Sequence, residues 1–238
     1  MSSTLVALDL DAHDPAALAQ FWGSLLARPV QERAGGHLLA GGDTQVGLRF
    51  VASDSTKVGP NRTHLHLTSR DEADMRRVVD RALELGASHL HVGQLPEEGH
   101  VVLADPEGNE LCVIPPGTSF LAGTGFLGEL ACDGTRAVGV FWSEALGWPL
   151  VWDEDEETAI QSPAGGTKVA WGGPPLAPKP GRNRTRLLLA PVGDHATEVE
   201  RLVSLGATVI DEAGVDAAAE GGGTALADPD GNELRLLP

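Results

Sequence analysis

Leu103-Ala104-Asp105-Pro106-Glu107-Gly108-Asn109-Glu110-Leu111 returns near the end of the chain as Leu226-Ala227-Asp228-Pro229-Asp230-Gly231-Asn232-Glu233-Leu234. Both copies place Pro and Gly inside an acidic turn flanked by apolar residues, the composition of a tight connection between two strands. Working outward, Phe21-Trp22 recurs as Phe141-Trp142, Asn61-Arg62-Thr63 as Asn183-Arg184-Thr185, and Leu85-Gly86-Ala87 as Leu205-Gly206-Ala207. Four matches in the same order, about 120 residues apart, make the chain an internal duplication. The join is Pro115-Pro116-Gly117-Thr118, a stop signal. It divides the chain into a first domain at 1–117, a linker at 118–124 and a second domain at 125–238.

Each half reads as two βαβββ modules, four in all, an α+β chain. Residues 5–10 form a candidate strand, and His13-Asp14-Pro15 caps a helix whose buried face is Leu18, Phe21, Trp22, Leu25 and Leu26. Short strands are expected at 29–33, 37–40 and 45–52, then a loop containing Gly59-Pro60. A strand at 63–68 opens the second module. Asp71-Glu72 begins its helix, with Met75, Val78, Val79, Ala82 and Leu83 on one face and Gly86 at its end. Strands at 88–91, 100–104 and 110–114 complete it. Such a module leaves one sheet face for a helix and the other for a concave cavity.

Composition narrows the function. Of 238 residues, 42% are hydrophobic, enough for a core, and no apolar run reaches the ~20 residues of a membrane span. Seventeen Lys and Arg against 34 Asp and Glu give a net charge of −17, which argues against nucleic acid and fits a solvated surface or a cationic ligand. Cys112 and Cys132 make no disulfide framework, and the Met1-Ser2-Ser3-Thr4 start lacks the basic and apolar regions of a signal peptide, so a cytoplasmic setting is expected.

The ordered motifs, from Asp14-Pro15 and Phe21-Trp22 through Asn61-Arg62-Thr63-His64-Leu65 to Asp105-Pro106-Glu107-Gly108-Asn109-Glu110, resemble the vicinal oxygen chelate superfamily. Within it the chain is most similar to the glyoxalase-like branch that includes bleomycin-resistance proteins, and the resemblance covers both halves. It implies curved mixed sheets, each built from two modules around a cup. In enzymatic members it implies one divalent metal (Zn, Ni, Fe or Mn among the candidates), held by His, Gln or Glu from the first and last strands of each module. That metal polarises two adjacent substrate oxygens as a Lewis acid.

Carried over residue by residue, the resemblance places His64 on a ligand position. The first-strand position, counted back from Phe21, falls on Ala7, with Asp9 two residues on and on the same face. The last-strand position falls on Cys112, with Glu110 on its face. The fourth-strand position is undefined between Val46, Leu48 and Phe50 on one face and Gln45, Gly47 and Arg49 on the other. A metal set of His64, Asp9 and Glu110 is therefore conceivable only in shifted register. In the second half, the same counting replaces His64 by Arg186, His66 by Leu188, Cys112 by Arg235 and Ala7 by Leu127, and it matches Asp9 with Glu129 and Glu110 with Glu233. Arginine is not a metal ligand. Glu110 and Glu233, shared by both halves, read as scaffold pairing with Arg62 and Arg184. Modules of this family pair within a half or across halves, which would decide whether Asp9 meets Arg186.

Trp142 reads as core, whereas Trp152 and Trp171 lie on strands where they could wall an aromatic pocket. His89 and His91 read as exposed strand residues, Cys112 as a packed thiol, the acidic run 153–157 as a solvated hairpin turn, and Gly221-Gly222-Gly223 as a turn. The broken ligand set, the acidic charge and the tryptophans point to a binding cup for a small aromatic or cationic molecule, of the drug-binding type. Its lining would be Asp9, His64, His66, Cys112, Glu129, Trp152, Trp171, Arg186 and Arg235. The alternative is a metal-dependent lyase, isomerase or dioxygenase with one active cup around His64. Two fused halves also predict a monomer with pseudo-twofold symmetry.

Overall fold

The computed structural model describes residues 2–33, 35–211 and 222–238. Gly221 of the expected glycine turn lies outside them. The four modules run in order. The first comprises β1 (Thr4–Ala12), α1 (Pro15–Leu26), β2 (Gln31–Arg33), β3 (Gly36–Leu39) and β4 (Gly47–Ala52). The second comprises β5 (Thr63–Leu67), α2 (Glu72–Glu84), β6 (Ser88–His89), β7 (Val101–Ala104) and β8 (Glu110–Val113). The third comprises β9 (Leu127–Cys132), α3 (Arg136–Leu146), β10 (Leu150–Glu154), β11 (Glu157–Gln161) and β12 (Lys168–Trp171). The fourth comprises β13 (Thr185–Ala190), α4 (His195–Ser204), β14 (Thr208–Val209), β15 (Thr224–Ala227) and β16 (Glu233–Leu236). The expected elements are present with shifted ends. His91 lies beyond β6, and both His89 and His91 are exposed.

Two eight-stranded mixed sheets result, ordered β14-β15-β16-β13-β1-β4-β3-β2 and β10-β11-β12-β9-β5-β8-β7-β6. The modules therefore pair across the halves. The first and fourth build an outer sheet through the antiparallel pair β1–β13, and the second and third build an inner sheet through β5–β9. No helix among the described residues is long and apolar enough to cross a membrane.

Local chemistry sets the elements. Asp14 caps α1 by accepting from Ala17 N, Pro15 starts the helix, and Ala27 ends it in the left-handed region. Leu18, Phe21, Trp22 and Leu25 are buried on one core with Leu8, Leu10 and Leu48 from the sheet beneath. Asp155 and Glu156 take positive φ between β10 and β11, making the acidic run a hairpin turn as expected.

The repeated nine-residue motif bolts the two sheets together. Asp105 Oδ1 accepts from the backbone N–H groups of Glu107 and Asn109, both at 2.9 Å, while its Oδ2 accepts from Trp22 Nε1 at 3.1 Å. Trp22 is on α1 over the outer sheet, and Asp105 follows β7 of the inner sheet. Glu107 accepts from Asp14 N at the start of α1. The second half repeats this arrangement: Asp228 accepts from Trp142 Nε1 at 3.3 Å, and Asp230 accepts from Thr135 N at 2.6 Å. The Asp-Pro-x-Gly-Asn turns thus close a hairpin and anchor the helix of the neighbouring module.

Candidate functional site

The sheet faces turned away from the helices have diverged. On the outer sheet, the residues alternating with Leu8 and Leu10 are charged and buried. Asp9 receives Nε and Nη2 of Arg49 at 2.8 and 2.6 Å. Asp11 is ion-paired with Arg182 and Arg186, each at 2.8 Å, and its carbonyl accepts from Arg184 Nη2. Arg186 and Arg235 are each 2% exposed. The cross-half pairing brings Asp9 opposite Arg186, but on a face filled by guanidinium groups. These residues do not converge with His64, so Asp9 is not available to a metal there. Glu110 is not available either: it accepts from Lys57 Nζ and Asn61 N. Glu233 does the same with Lys179 and Asn183 N. The partners of both glutamates are lysines rather than Arg62 and Arg184. Gln45 is spent between the sheets, where its side chain donates to the Thr124 carbonyl and accepts from Leu127 N.

On the inner sheet, one row crosses the four central strands. Lys168 on β12 faces Glu129 on β9, Glu129 faces His66 on β5, and His66 faces Cys112 on β8. The same accounting on the outer sheet gives Gly47, Ala7, Leu188 and Arg235. Glu129 therefore corresponds to Ala7, not to Asp9. The strand-to-helix connection explains the difference. Thr185 faces Leu10 and Thr63 faces Cys132, yet eleven positions separate Leu10 from Phe21 and nine separate Cys132 from Phe141. The first half carries two extra residues there, and counting back from the helix lands two residues out of register.

Glu129 Oε2 lies 2.6 Å from His66 Nδ1, and His66 Nε2 lies 2.9 Å from His64 Nε2. His66 faces Cys112 across the β5–β8 pair. The ligating atoms of His64, His66 and Cys112 fall within 4.8 Å of one another. Burial alone would lower the His66 pKa, but its interactions with Cys112 and Glu129 outweigh it and raise the value to about 9. Burial, and then the charges of His66 and His100, press the neighbouring His64 down to about 3. Cys112 is 5% exposed and packs on Val102, Ile114 and Leu121. Cys132 does not join the cluster. Its thiol lies 3.5 Å from Thr63 Oγ1 and is pushed up to about 12 by burial.

Above this row opens a cavity of about 730 Å³, with His64, Cys112, Glu129, Phe120, Trp152 and Trp171 in its wall. Trp171 is buried and Trp152 is 41% exposed, meeting Phe120 edge to face at 6.0 Å. Phe120 comes from the connection between the halves, a segment with no sequence signal for a site. Lys168 donates to the Phe120 carbonyl and sits 4.2 Å from its ring centre. Of the residues expected to line a cup, the structure gathers His64, His66, Cys112, Glu129, Trp152 and Trp171. It separates Asp9, Arg186 and Arg235 onto the other sheet.

Two imidazole nitrogens and a thiol sulfur at mutual ligating distance suit a borderline-soft divalent ion, and a carboxylate on the far nitrogen of one imidazole is the usual orienting partner of a metal-bound histidine. Lys168 fills the fourth place of the row, which leaves three donors and open coordination positions. The residues fit a three-donor centre.

A family model described as a glyoxalase-like domain matches the chain twice, over residues 6–114 and 129–237. No curated protein matches the sequence. Among solved structures, glyoxalase I from Zea mays superposes with a TM-score of 0.62 at 13% identity, covering 99% of this chain and 92% of that one. A candidate dioxygenase from Bacillus subtilis superposes with a TM-score of 0.55 at 13% identity, covering 100% of this chain and 86% of that one. At these identities the likeness is one of fold.

Proposed function

This chain belongs to the glyoxalase-like domain family, and on that premise we propose that it binds a small aromatic molecule in the inner cup, over a single divalent metal held by His64, His66 and Cys112. The convergence of those three donors at the base of a walled cavity carries the reading. Bound there, the metal supplies Lewis-acid polarisation to a ligand that offers two neighbouring oxygens. The chain's own residues do the rest. Glu129 fixes the ring of His66 through Nδ1, which aims Nε2 into the cluster. Trp171 and Trp152 supply flat apolar surface, and Phe120 closes one side. The outer cup, filled by its ion pairs, serves as scaffold.

Elemental analysis of the untagged protein after dialysis against Zn²⁺, Ni²⁺, Fe²⁺ and Mn²⁺ tests this. About one metal per chain is expected, lost in His64→Ala and in Cys112→Ser. Protein that takes up no stoichiometric metal refutes the centre. The second reading, a metal-free binding cup, then leads. It is favoured by one observation, the lysine standing where a fourth donor would be.

A further inference from the structure

The loop from β4 to β5 and its repeat, from β12 to β13, brace each other. Arg62 Nη2 donates to the Ala177 carbonyl at 2.5 Å, and the equivalent Arg184 donates through Nη1 to the Ser55 carbonyl. Between the two loops lies a cleft of about 210 Å³. Lys57, Arg62, Lys179, Arg182 and Arg184 line it, and among the described residues no Asp or Glu does. In a chain with 34 acidic and 17 basic residues, a wall of five cations and no carboxylate runs against the composition. Each cation is held by a carboxylate outside that wall: Lys57 by Glu110, Lys179 by Glu233, Arg182 by Asp11, and Arg62 and Arg184 by Asp133 and Glu107, both at 3.6 Å. An ammonium has three N–H donors, and Lys57 and Lys179 each spend one, on their glutamate. Each therefore keeps two donors, on a side chain that is 24% exposed.

We propose that this cleft binds a small multivalent oxyanion of the phosphate class, held between Lys57 of one loop and Lys179 of the other. Phosphate oxygens accept from ammonium groups in charge-assisted bonds, which are roughly twice as strong as neutral ones. The glutamates hold both lysines at one donor, so less side-chain freedom is lost when the anion is bound. The two lysines come from equivalent positions of the repeat, and an anion with two like ends matches that symmetry. The volume of the cleft limits the ligand to a small free anion. Pro60, Asn61 and Arg62 line both this cleft and the inner cup, so the two sites adjoin. The anion site uses none of the His64, His66 and Cys112 donors, and it stands or falls separately from them.

The test titrates pyrophosphate calorimetrically into the full chain, treated with chelator so that no metal competes for the probe, with acetate at the same ionic strength as the control. One pyrophosphate per chain is expected, bound more weakly as salt is raised, and no binding of acetate. Lys57→Gln and Lys179→Gln should each weaken pyrophosphate by a similar factor, about tenfold, and the double variant by more. Lys57→Arg should keep most of the affinity. Val58→Glu covers the case in which loss of a lysine unfolds the chain: the residue lines the cleft but is 76% exposed, so the added negative charge should weaken pyrophosphate without disturbing the fold. No binding of pyrophosphate by wild type, acetate bound as tightly as pyrophosphate, or an affinity within twofold of wild type in the folded lysine variants or in Val58→Glu overturns the anion site.

Discussion

Replacing Asp105 by Ala removes the acceptor that joins the two sheets within the first half. Asp105 is 3% exposed and its carboxylate receives Trp22 Nε1, the backbone N–H groups of Glu107 and Asn109, and the Asn109 amide. Trp22 and Asn109 are themselves buried, so their N–H groups lose a partner that water does not replace. At ~1–3 kcal/mol for each stranded buried donor, the loss is about 4 kcal/mol, with little added by the less buried Glu107 N–H. Trp22→Phe removes one donor and leaves the carboxylate its other three, a cost of about 1–2 kcal/mol. The two substitutions share a bond, so the double variant should be less destabilised than their sum by about 1–2 kcal/mol. Urea unfolding at constant m-value measures all three. Additivity within ~0.3 kcal/mol, or an Asp105→Ala cost under ~1 kcal/mol, would refute the bolt. Asp228 and Trp142 should reproduce the pattern in the second half.

Asp9→Ala strands Arg49 in the outer cup and should cost about 3–5 kcal/mol in urea unfolding, without changing metal uptake at the inner cup. In chelator-treated protein, the His66 pKa near 9 exceeds its ordinary 6.5, so its ion pair with Glu129 contributes fully below pH 6.5 and is lost as pH rises through 9. The gap in unfolding free energy between wild type and His66→Gln should therefore narrow between pH 7 and 10, and a gap that is constant or widens counts against the pairing. Trp152→Ala should weaken binding of a small aromatic ligand at the inner cup several-fold yet lower stability by only ~1 kcal/mol, since the residue is 41% exposed; calorimetry and thermal unfolding read the two effects. Gly166 has φ +91° and an added Cβ would meet the Thr44 carbonyl at 1.7 Å, so Gly166→Ala should lower the melting temperature by several degrees.

The duplication, the four modules and the turn motif are legible in sequence because they rest on strong local signals: repeated Pro and Gly positions and helix faces with capped starts. The match between Asp9 and Glu129 failed for a reason that belongs to strands. Side chains alternate with a period of two, so a two-residue insertion leaves every apolar residue on its original face and the pattern undisturbed. Only the strand partners of Ala7 and Glu129 reveal the slip. The choice between pairing within a half and across halves was equally hidden, since either buries the same faces. Cys112 reads in sequence as a packed thiol, being flanked by Leu111 and Val113, and it is indeed buried. Its place beside His66 follows from the parallel register of β5 and β8. Phe120 lies in an irregular connection, where periodicity carries no information about what the chain passes over.

Because each sheet draws one module from either repeat, the two copies are bound to a common fate. Loss of one repeat would leave two unfinished sheets rather than one finished cup, each needing a module from a second chain. Substitutions can still accumulate unequally, as the arginines of one cup and the imidazoles of the other record. The two copies thus differ by role rather than by position: one pair of modules carries the imidazole and thiol cluster, and the other a buried network of ion pairs.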